Sequence, residues 1–215
     1  MPIHKAWWLF FTACGLVLLS ACGKPGDSAG STAQLVTGVS ILSYEEREAG
    51  TDNYIVRILV SSGYVRFDDG YAASDFALLD RQSGTVFSVS HEDRSILVIE
   101  NQPNDAVPSP AIELTVSRTT DADAPVIAGS QPVQIDYLAN GDLCFQVVTV
   151  PGIMEQAVAG MAEYAEVLAE RQRNNMESVP ANMQTPCFLS RYVHAPARHF
   201  RDGLPVQEWD ETGYF

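Results

Sequence analysis

The chain has 215 residues, of which 27 are Asp or Glu and 13 are Lys or Arg, so its formal net charge is −14. An acidic surface of this kind repels phosphate groups, which argues against a nucleic-acid partner and against electrostatic docking on anionic lipid headgroups. The length suits one domain with a hydrophobic core and does not require two.

The first 21 residues are typical of a bacterial export signal. Lys5 supplies a cationic start, residues 7–19 are almost wholly apolar, and small residues precede Cys22. This order indicates a targeting segment, and the apolar run is too short to span a bilayer, which takes about 20 residues. An uncleaved inner-membrane anchor and an ordinary secretory signal are the alternatives.

The run Leu19-Ser20-Ala21-Cys22 resembles the lipobox of bacterial lipoproteins. The resemblance implies cleavage before Cys22 and acylation of that residue by lipid chains such as palmitate, and two or three such chains hold a protein on a membrane almost permanently. Gly23, where an Asp would favour the inner membrane, implies the outer membrane, with the protein facing the periplasm. We therefore divide the chain into a signal peptide (1–21), a lipidated cysteine with a flexible tether (22–37) and a single domain (38–215).

Two cysteines remain for the folded domain. Cys14 leaves with the signal and Cys22 carries lipid, so Cys144 and Cys187 form an even pair in an oxidising compartment. This predicts a disulfide, and two buried free thiols are the alternative.

A long antiparallel meander is predicted from Tyr54 onward, because apolar and polar residues alternate with period two. Candidate strands cover residues 54–60, 64–68, 76–81, 85–90, 95–100, 112–117, 133–138, 143–150 and 203–209. Asn140-Gly141 is the strongest hairpin turn among them, since both central positions of a type I′ turn need positive φ. The Pro-rich residues 101–110 are predicted to be a loop.

One amphipathic helix of about six turns is predicted after residue 152, because apolar residues recur at helical spacing from there. It is expected to end before Pro180. Its apolar positions are candidates for a lid over a ligand: Ile153, Met154, Met161, Tyr164 and Leu168. Methionine suits an adaptable binding surface, but it also fills gaps in an ordinary core, and both interpretations stay open.

The remaining charged clusters give weak signals for chemistry. A basic island is a candidate contact for an anion, or it balances neighbouring acids; it contains Arg191, His194, Arg198, His199 and Arg201. No metal site is predicted from its two histidines, which lack a third ligand nearby. The aspartates at 68, 69, 75 and 80 are explained by turn chemistry.

The runs 63–70, 76–81, 85–89 and 95–99 are similar to uncharacterised bacterial secreted proteins, which in turn resemble the lipoprotein-carrier half-barrel. The resemblance covers Tyr54 to the C-terminus and implies an α+β fold in which a curved antiparallel sheet wraps one long helix over an apolar cavity. The resemblance implies only this fold, and function does not follow from fold alone. We expect a non-catalytic protein without a cofactor that binds an acyl chain, a lipoprotein or another apolar ligand of the cell envelope. The alternatives are a scaffold for a cell-envelope complex without a small ligand and a hydrolase of envelope polymers, for which no nucleophile or carboxylate pair stands out.

Overall fold

The structure is a computed structural model that describes residues 38–48, 50–71, 73–101 and 111–211. The predicted signal peptide, Cys22, the tether and all of the predicted loop 101–110 except residue 101 lie outside these residues. The described chain is α+β, with two antiparallel sheets and one long helix. The predicted α+β class and long helix are confirmed, but the strands divide between two sheets where the sequence predicted one.

The first sheet has six strands that pair in chain order, each antiparallel to the next. They are β1 (Ser40–Glu46), β2 (Tyr54–Val60), β3 (Tyr64–Asp68), β4 (Phe76–Asp80), β5 (Thr85–Ser90) and β6 (Ser95–Ile99). The alternation of apolar and polar residues correctly predicted β2 to β6. It missed β1, which pairs with β2 along its whole length.

The second sheet has four antiparallel strands in the order β10-β9-β8-β7. They are β7 (Leu114–Thr119), β8 (Val133–Ala139), β9 (Asp142–Val150) and β10 (Leu204–Asp210). Asn140 and Gly141 join β8 to β9 with φ of 53° and 88°, as predicted for a type I′ hairpin. A β-bulge in β10 follows Pro205, which cannot donate a ladder hydrogen bond.

Helix α1 (Glu155–Asn174) follows β9, and four of its five buried residues (Ala157, Gly160, Met161 and Val167) lie on one face, as the predicted amphipathic pattern requires. A glutamate in its first turn and two arginines in its last turn complement the helix dipole. The helix contacts β2, β3, β5 and β6 of the first sheet and β10 of the second. It therefore crosses the strands and does not follow any one of them.

Short helical turns lead from α1 back to β10. After two 3₁₀ turns come α2 (Pro186–Leu189), a π-helical turn (Ser190–His194) and a 3₁₀ turn (Arg198–Asp202). Thr185 caps α2 by accepting a hydrogen bond from the backbone N–H of Phe188 at 3.2 Å. Cys187 in α2 is bonded to Cys144 in β9, so the predicted disulfide is confirmed and ties this segment to the second sheet.

The inner face of the first sheet contains two parallel rows of side chains that run across the strands. The covered row is fully apolar and buried and consists of Val60, Val65, Leu79, Val86 and Ile99. Helix α1 lies on this row so closely that a Cβ atom on Gly160 would be 2.8 Å from methyl carbons of both Val60 and Val65. Only glycine permits this approach of helix and sheet.

Candidate functional site

A cleft of about 1510 Å³ lies beside α1. Its floor is the second row of the inner face, the open row, which consists of Ile58, Phe67, Ala77, Ser88 and Leu97. Met161, Tyr164 and Leu168 of α1 form one wall, and Phe200 and Val206 come from the C-terminal segment and β10. The first sheet, the helix and the end of the chain therefore all contribute apolar surface to one site.

The composition of the open row explains the depth of the cleft. Neighbouring positions in the covered row are Leu79 and Val86, whereas the open row has Ala77 and Ser88 on the same two strands. These small side chains lie between Phe67 and Leu97 and leave volume above the middle of the sheet. The middle of the row is therefore open to solvent, with Ser88 exposed and Leu97 at 50% exposure.

Three of the five predicted lid residues line the cleft. Tyr164 stacks on Phe67 with 4.3 Å between ring centroids, and burial raises the pKa of its hydroxyl, which therefore stays protonated. Met161 is only 4% exposed and belongs to the hydrophobic core as well as to the wall of the cleft, and its contact with a ligand stays a prediction.

The other two predicted lid residues lie elsewhere. Ile153 lines a second cavity of about 860 Å³ on the other side of α1. Met154 precedes the helix in the left-handed conformation, with φ of 48°, and its side chain is 37% exposed. The helical periodicity that grouped it with the other four residues stops at Glu155, where the helix begins.

The mouth of the cleft is polar. Exposed charged residues of β1 and the turn after it stand on one side, including Glu45, Arg47 and Glu48. The Tyr44 hydroxyl donates a hydrogen bond of 2.8 Å to the carbonyl of Pro205, which joins the first sheet to β10. Burial raises the pKa of Tyr44 to about 12, so this donor persists at all physiological pH values.

Two members of the predicted basic island lie at the inner end of the cleft. The Arg191 guanidinium is 4.4 Å from the centre of the Phe145 ring, is hydrogen-bonded to Glu208 and lies 3.9 Å from Asp210. Its charge is thus already compensated by acids. Burial, followed by repulsion from two arginines, lowers the pKa of His199 to about 3, so this imidazole is neutral at physiological pH.

The other members of the island point in different directions. Arg198 is 7% exposed and is held over the Tyr137 ring, 5.0 Å from its centroid. Burial lowers the pKa of His194, and Arg201 lines the second cavity. Three of the five predicted residues thus meet around the Phe145 ring, with Arg191 4.4 Å, Arg198 5.3 Å and the His199 ring 5.7 Å from its centroid, whereas Arg201 lies in the second cavity.

The wall of the second cavity contains an ion pair between the first sheet and α1. Arg81 reaches across from the end of β4 and forms two hydrogen bonds of 2.7 Å with the carboxylate of Glu163 in α1. The same guanidinium donates to the carbonyl of Ser61 at 2.8 Å. We interpret this region as the contact that fixes α1 to the sheet turns.

The four aspartates of the first sheet serve its turns. The carboxylates of Asp68, Asp69 and Asp80 accept hydrogen bonds from backbone N–H groups two residues later, and Asp75 accepts one from His91. Within the described ranges, no group of three or more His, Cys, Asp or Glu residues is placed to hold a metal ion.

Comparison of the chain with protein-family models, with curated proteins and with solved structures finds no match. The half-barrel resemblance therefore stays a prediction, and the function has to be argued from the cleft itself. None of the helices in the described part of the chain is long and apolar enough to cross a membrane.

Sequence reasoning missed three parts of the site: the open row, β1 with Tyr44, and the C-terminal wall that contains Phe200. The alternation in β1 was a usable signal, since Leu42 and Tyr44 face inward and Ile41 is 59% exposed. The open row carried no such signal, because only the register between strands shows which residues are neighbours.

Proposed function

We propose that this protein is a non-catalytic lipoprotein, tethered through Cys22 to the periplasmic face of the outer membrane, whose cleft binds an apolar ligand of the cell envelope. The ligand is an acyl chain, either of a free lipid or of another lipoprotein. In this proposal the six-stranded sheet is the curved wall of a half-barrel, and α1 covers part of it. The observation that supports the proposal most is the open row beside the helix, a row that is buried at Ile58 but exposed at Ser88 and Leu97.

The size and lining of the cleft suit a chain better than a compact polar substrate. Small-molecule pockets usually occupy about 300 to 1,000 Å³, and this cleft is larger. Burial of each methylene contributes about 0.8 kcal/mol, so ten buried methylenes give about 8 kcal/mol, which corresponds to a dissociation constant of about 1 μM. We expect affinity in this range for long fatty acids and little for short ones.

Binding of an environment-sensitive fluorescent fatty acid to the purified full chain tests the proposal. Ser88→Phe places a ring in the middle of the open row, and we expect it to weaken probe binding about tenfold, or 1.4 kcal/mol, without loss of stability, because the new ring enters open volume. Ser117→Phe is the matched control, since Ser117 is also an exposed serine on a strand but lies in β7, away from the cleft.

The two serine variants separate ligand binding from nonspecific effects. If the wild-type chain binds no probe at 10 to 20 times the expected dissociation constant, or if both serine variants weaken binding equally, the cleft is not the binding site. The proposed location has its own test: material extracted from the outer membrane should carry lipid on Cys22, as read by intact mass.

A further inference from the structure

Strand β6 is the last strand of the first sheet. It pairs with β5 through five registered positions, and among the residues that the structure describes no strand pairs with its other edge. An unpaired edge presents a row of backbone N–H and C=O groups that can accept another strand. The edge of β6 is therefore competent for strand addition.

The side chains of β6 do nothing to prevent such pairing. Soluble proteins protect sheet edges with charged residues, prolines or bulges, and β1 at the opposite edge of this sheet ends in Glu45 and Glu46. Strand β6 contains no charge and no proline. Its three central residues are largely exposed, with Ile96 at 62%, Leu97 at 50% and Val98 at 48%.

The sequence around β6 is complementary to itself. When two copies of the strand run antiparallel with Leu97 opposite Leu97, Ile96 of each copy lies opposite Val98 of the other. The same register brings Glu100 near Arg94 at both ends, where Arg94 lies in the turn before β6 with φ of 52° and both residues are exposed. Opposite charges and β-branched pairs facing each other across strands stabilise a sheet, whereas an unrelated partner strand would not require this symmetry.

We propose that two copies of this chain join through their β6 strands, antiparallel around a twofold axis at Leu97, to form one continuous twelve-stranded sheet. Residues that face each other across paired strands point to the same side of the sheet. Leu97 belongs to the open row, so the clefts of both copies open on the same face of the joined sheet. The proposal rests on the β6 edge and does not depend on whether the cleft binds a ligand.

Cysteine cross-linking of the full chain in detergent or in membranes tests the register. Leu97→Cys places the new thiol of one chain opposite the same thiol of the other chain, and we expect an intermolecular disulfide under mild oxidation. Ile96→Cys alone should cross-link poorly, because its diagonal partner is about 7 to 8 Å away, beyond disulfide reach. A mixture of Ile96→Cys and Val98→Cys chains should form the mixed dimer.

Ile41→Cys, on the exposed part of the opposite edge strand, is the matched control for random collision. Equal cross-linking of the Ile41 and Leu97 variants, cross-linking of Leu97→Cys only to other proteins, or no cross-linking at about 10 μM chain would each overturn the proposal. Circular dichroism confirms that the variants fold.

A charge exchange provides a second, independent test. Arg94→Glu places two like-charged pairs across the joint, and we expect the dimer dissociation constant from analytical ultracentrifugation to rise about three- to tenfold. Glu100→Arg alone should act similarly, and the two substitutions together should restore the wild-type constant. If the double variant is no better than the single variants, Arg94 and Glu100 do not face each other and the proposed register is wrong.

Discussion

Gly160→Ala is the sharpest test of how α1 sits on the first sheet. The added Cβ would lie 2.8 Å from the Cγ1 of Val60 and from the Cγ2 of Val65, whereas carbon atoms in contact are normally about 3.5 to 4.0 Å apart. Both valines are fully buried and β-branched, so they rotate only at a cost. The helix must therefore rise by several tenths of an ångström or more.

The expected magnitude follows from two opposing effects. Alanine in a helix interior is favoured over glycine by about 1 kcal/mol, and overpacking of a core costs about 1 to 3 kcal/mol. With two contacts below 3.0 Å the upper part of that range applies, so we expect a net loss of about 1 to 2 kcal/mol. In a domain of this size the melting temperature should fall by about 2 to 8 °C.

Thermal unfolding followed by circular dichroism measures this change. Gly63→Ala is the matched control, because a Cβ at Gly63 meets nothing within 4 Å and its φ is not positive; its melting temperature should stay near that of the wild type. Val60→Ala removes one of the opposing methyl groups, so Gly160→Ala should cost less in that background. In a helix that is not pressed against a sheet, alanine in place of glycine raises stability. A Gly160→Ala chain with a higher melting temperature than the wild type would therefore refute the close packing of α1 on Val60 and Val65.

Four further outcomes are expected. Hydrogen bonds from two arginines and a backbone N–H lower the pKa of Asp68 to about 2 from its ordinary 3.8. The ionised carboxylate therefore adds up to about 2 kcal/mol to the free energy of unfolding above pH 4, and this contribution is lost as the pH falls toward 2. When the free energy of unfolding is measured against pH, Asp68→Asn should show a smaller decrease between pH 4 and pH 2 than the wild type. Reduction of Cys144–Cys187 should lower the melting temperature, since a loop of this length contributes about 4 kcal/mol in the chain-entropy account, and alkylation of both thiols without reductant would contradict the bond. Cys22→Ser should abolish acylation and leave the precursor uncleaved, as read by intact mass. Gly203→Ala should destabilise more than Gly160→Ala, because φ is +131° and the Cβ would lie 2.7 Å from a backbone carbonyl carbon of β9, and urea unfolding measures the difference.

Local features of this fold could be predicted from the sequence because their causes are local. The type I′ turn follows from two residues that tolerate positive φ, and α1 follows from apolar residues at helical spacing. The Cys144–Cys187 pair was predictable by counting the thiols that remain if the chain is exported and lipidated as predicted. The helical turns between residues 186 and 202 gave no periodic signal, since each is only four or five residues long.

The features that make the cleft depend on register and were not predictable. Whether the meander forms one sheet or two depends on how β6 and β7 are placed, and the Pro-rich residues 101–110 separate them in the chain. Membership of the open row depends on which residues of five strands lie opposite one another. A shift of one residue in a single strand would replace inward by outward side chains there, and composition does not determine that shift.

The cleft is a geometric consequence of one helix covering a sheet of this width. Helix α1 crosses the strands, and an α-helix with its side chains is about 10 to 12 Å wide. Successive inward rows of a sheet are two residues, or about 7 Å, apart along the strands. A single crossing helix therefore covers one row and overhangs the next, which is why Val60 and Val65 are fully buried while Ser88 and Leu97 stay exposed. Large side chains in the open row, or a second structural element, would be needed to fill the space under this overhang. This chain has only Ala77 and Ser88 in the middle of the row, and its C-terminal segment covers no more than the edge of the space.

The same arrangement predicts how a ligand acts: an apolar chain in the cleft would contact both Tyr164 of the helix and Phe67 of the floor. Its binding should therefore raise the unfolding temperature of the whole domain, without any local unfolding at α1.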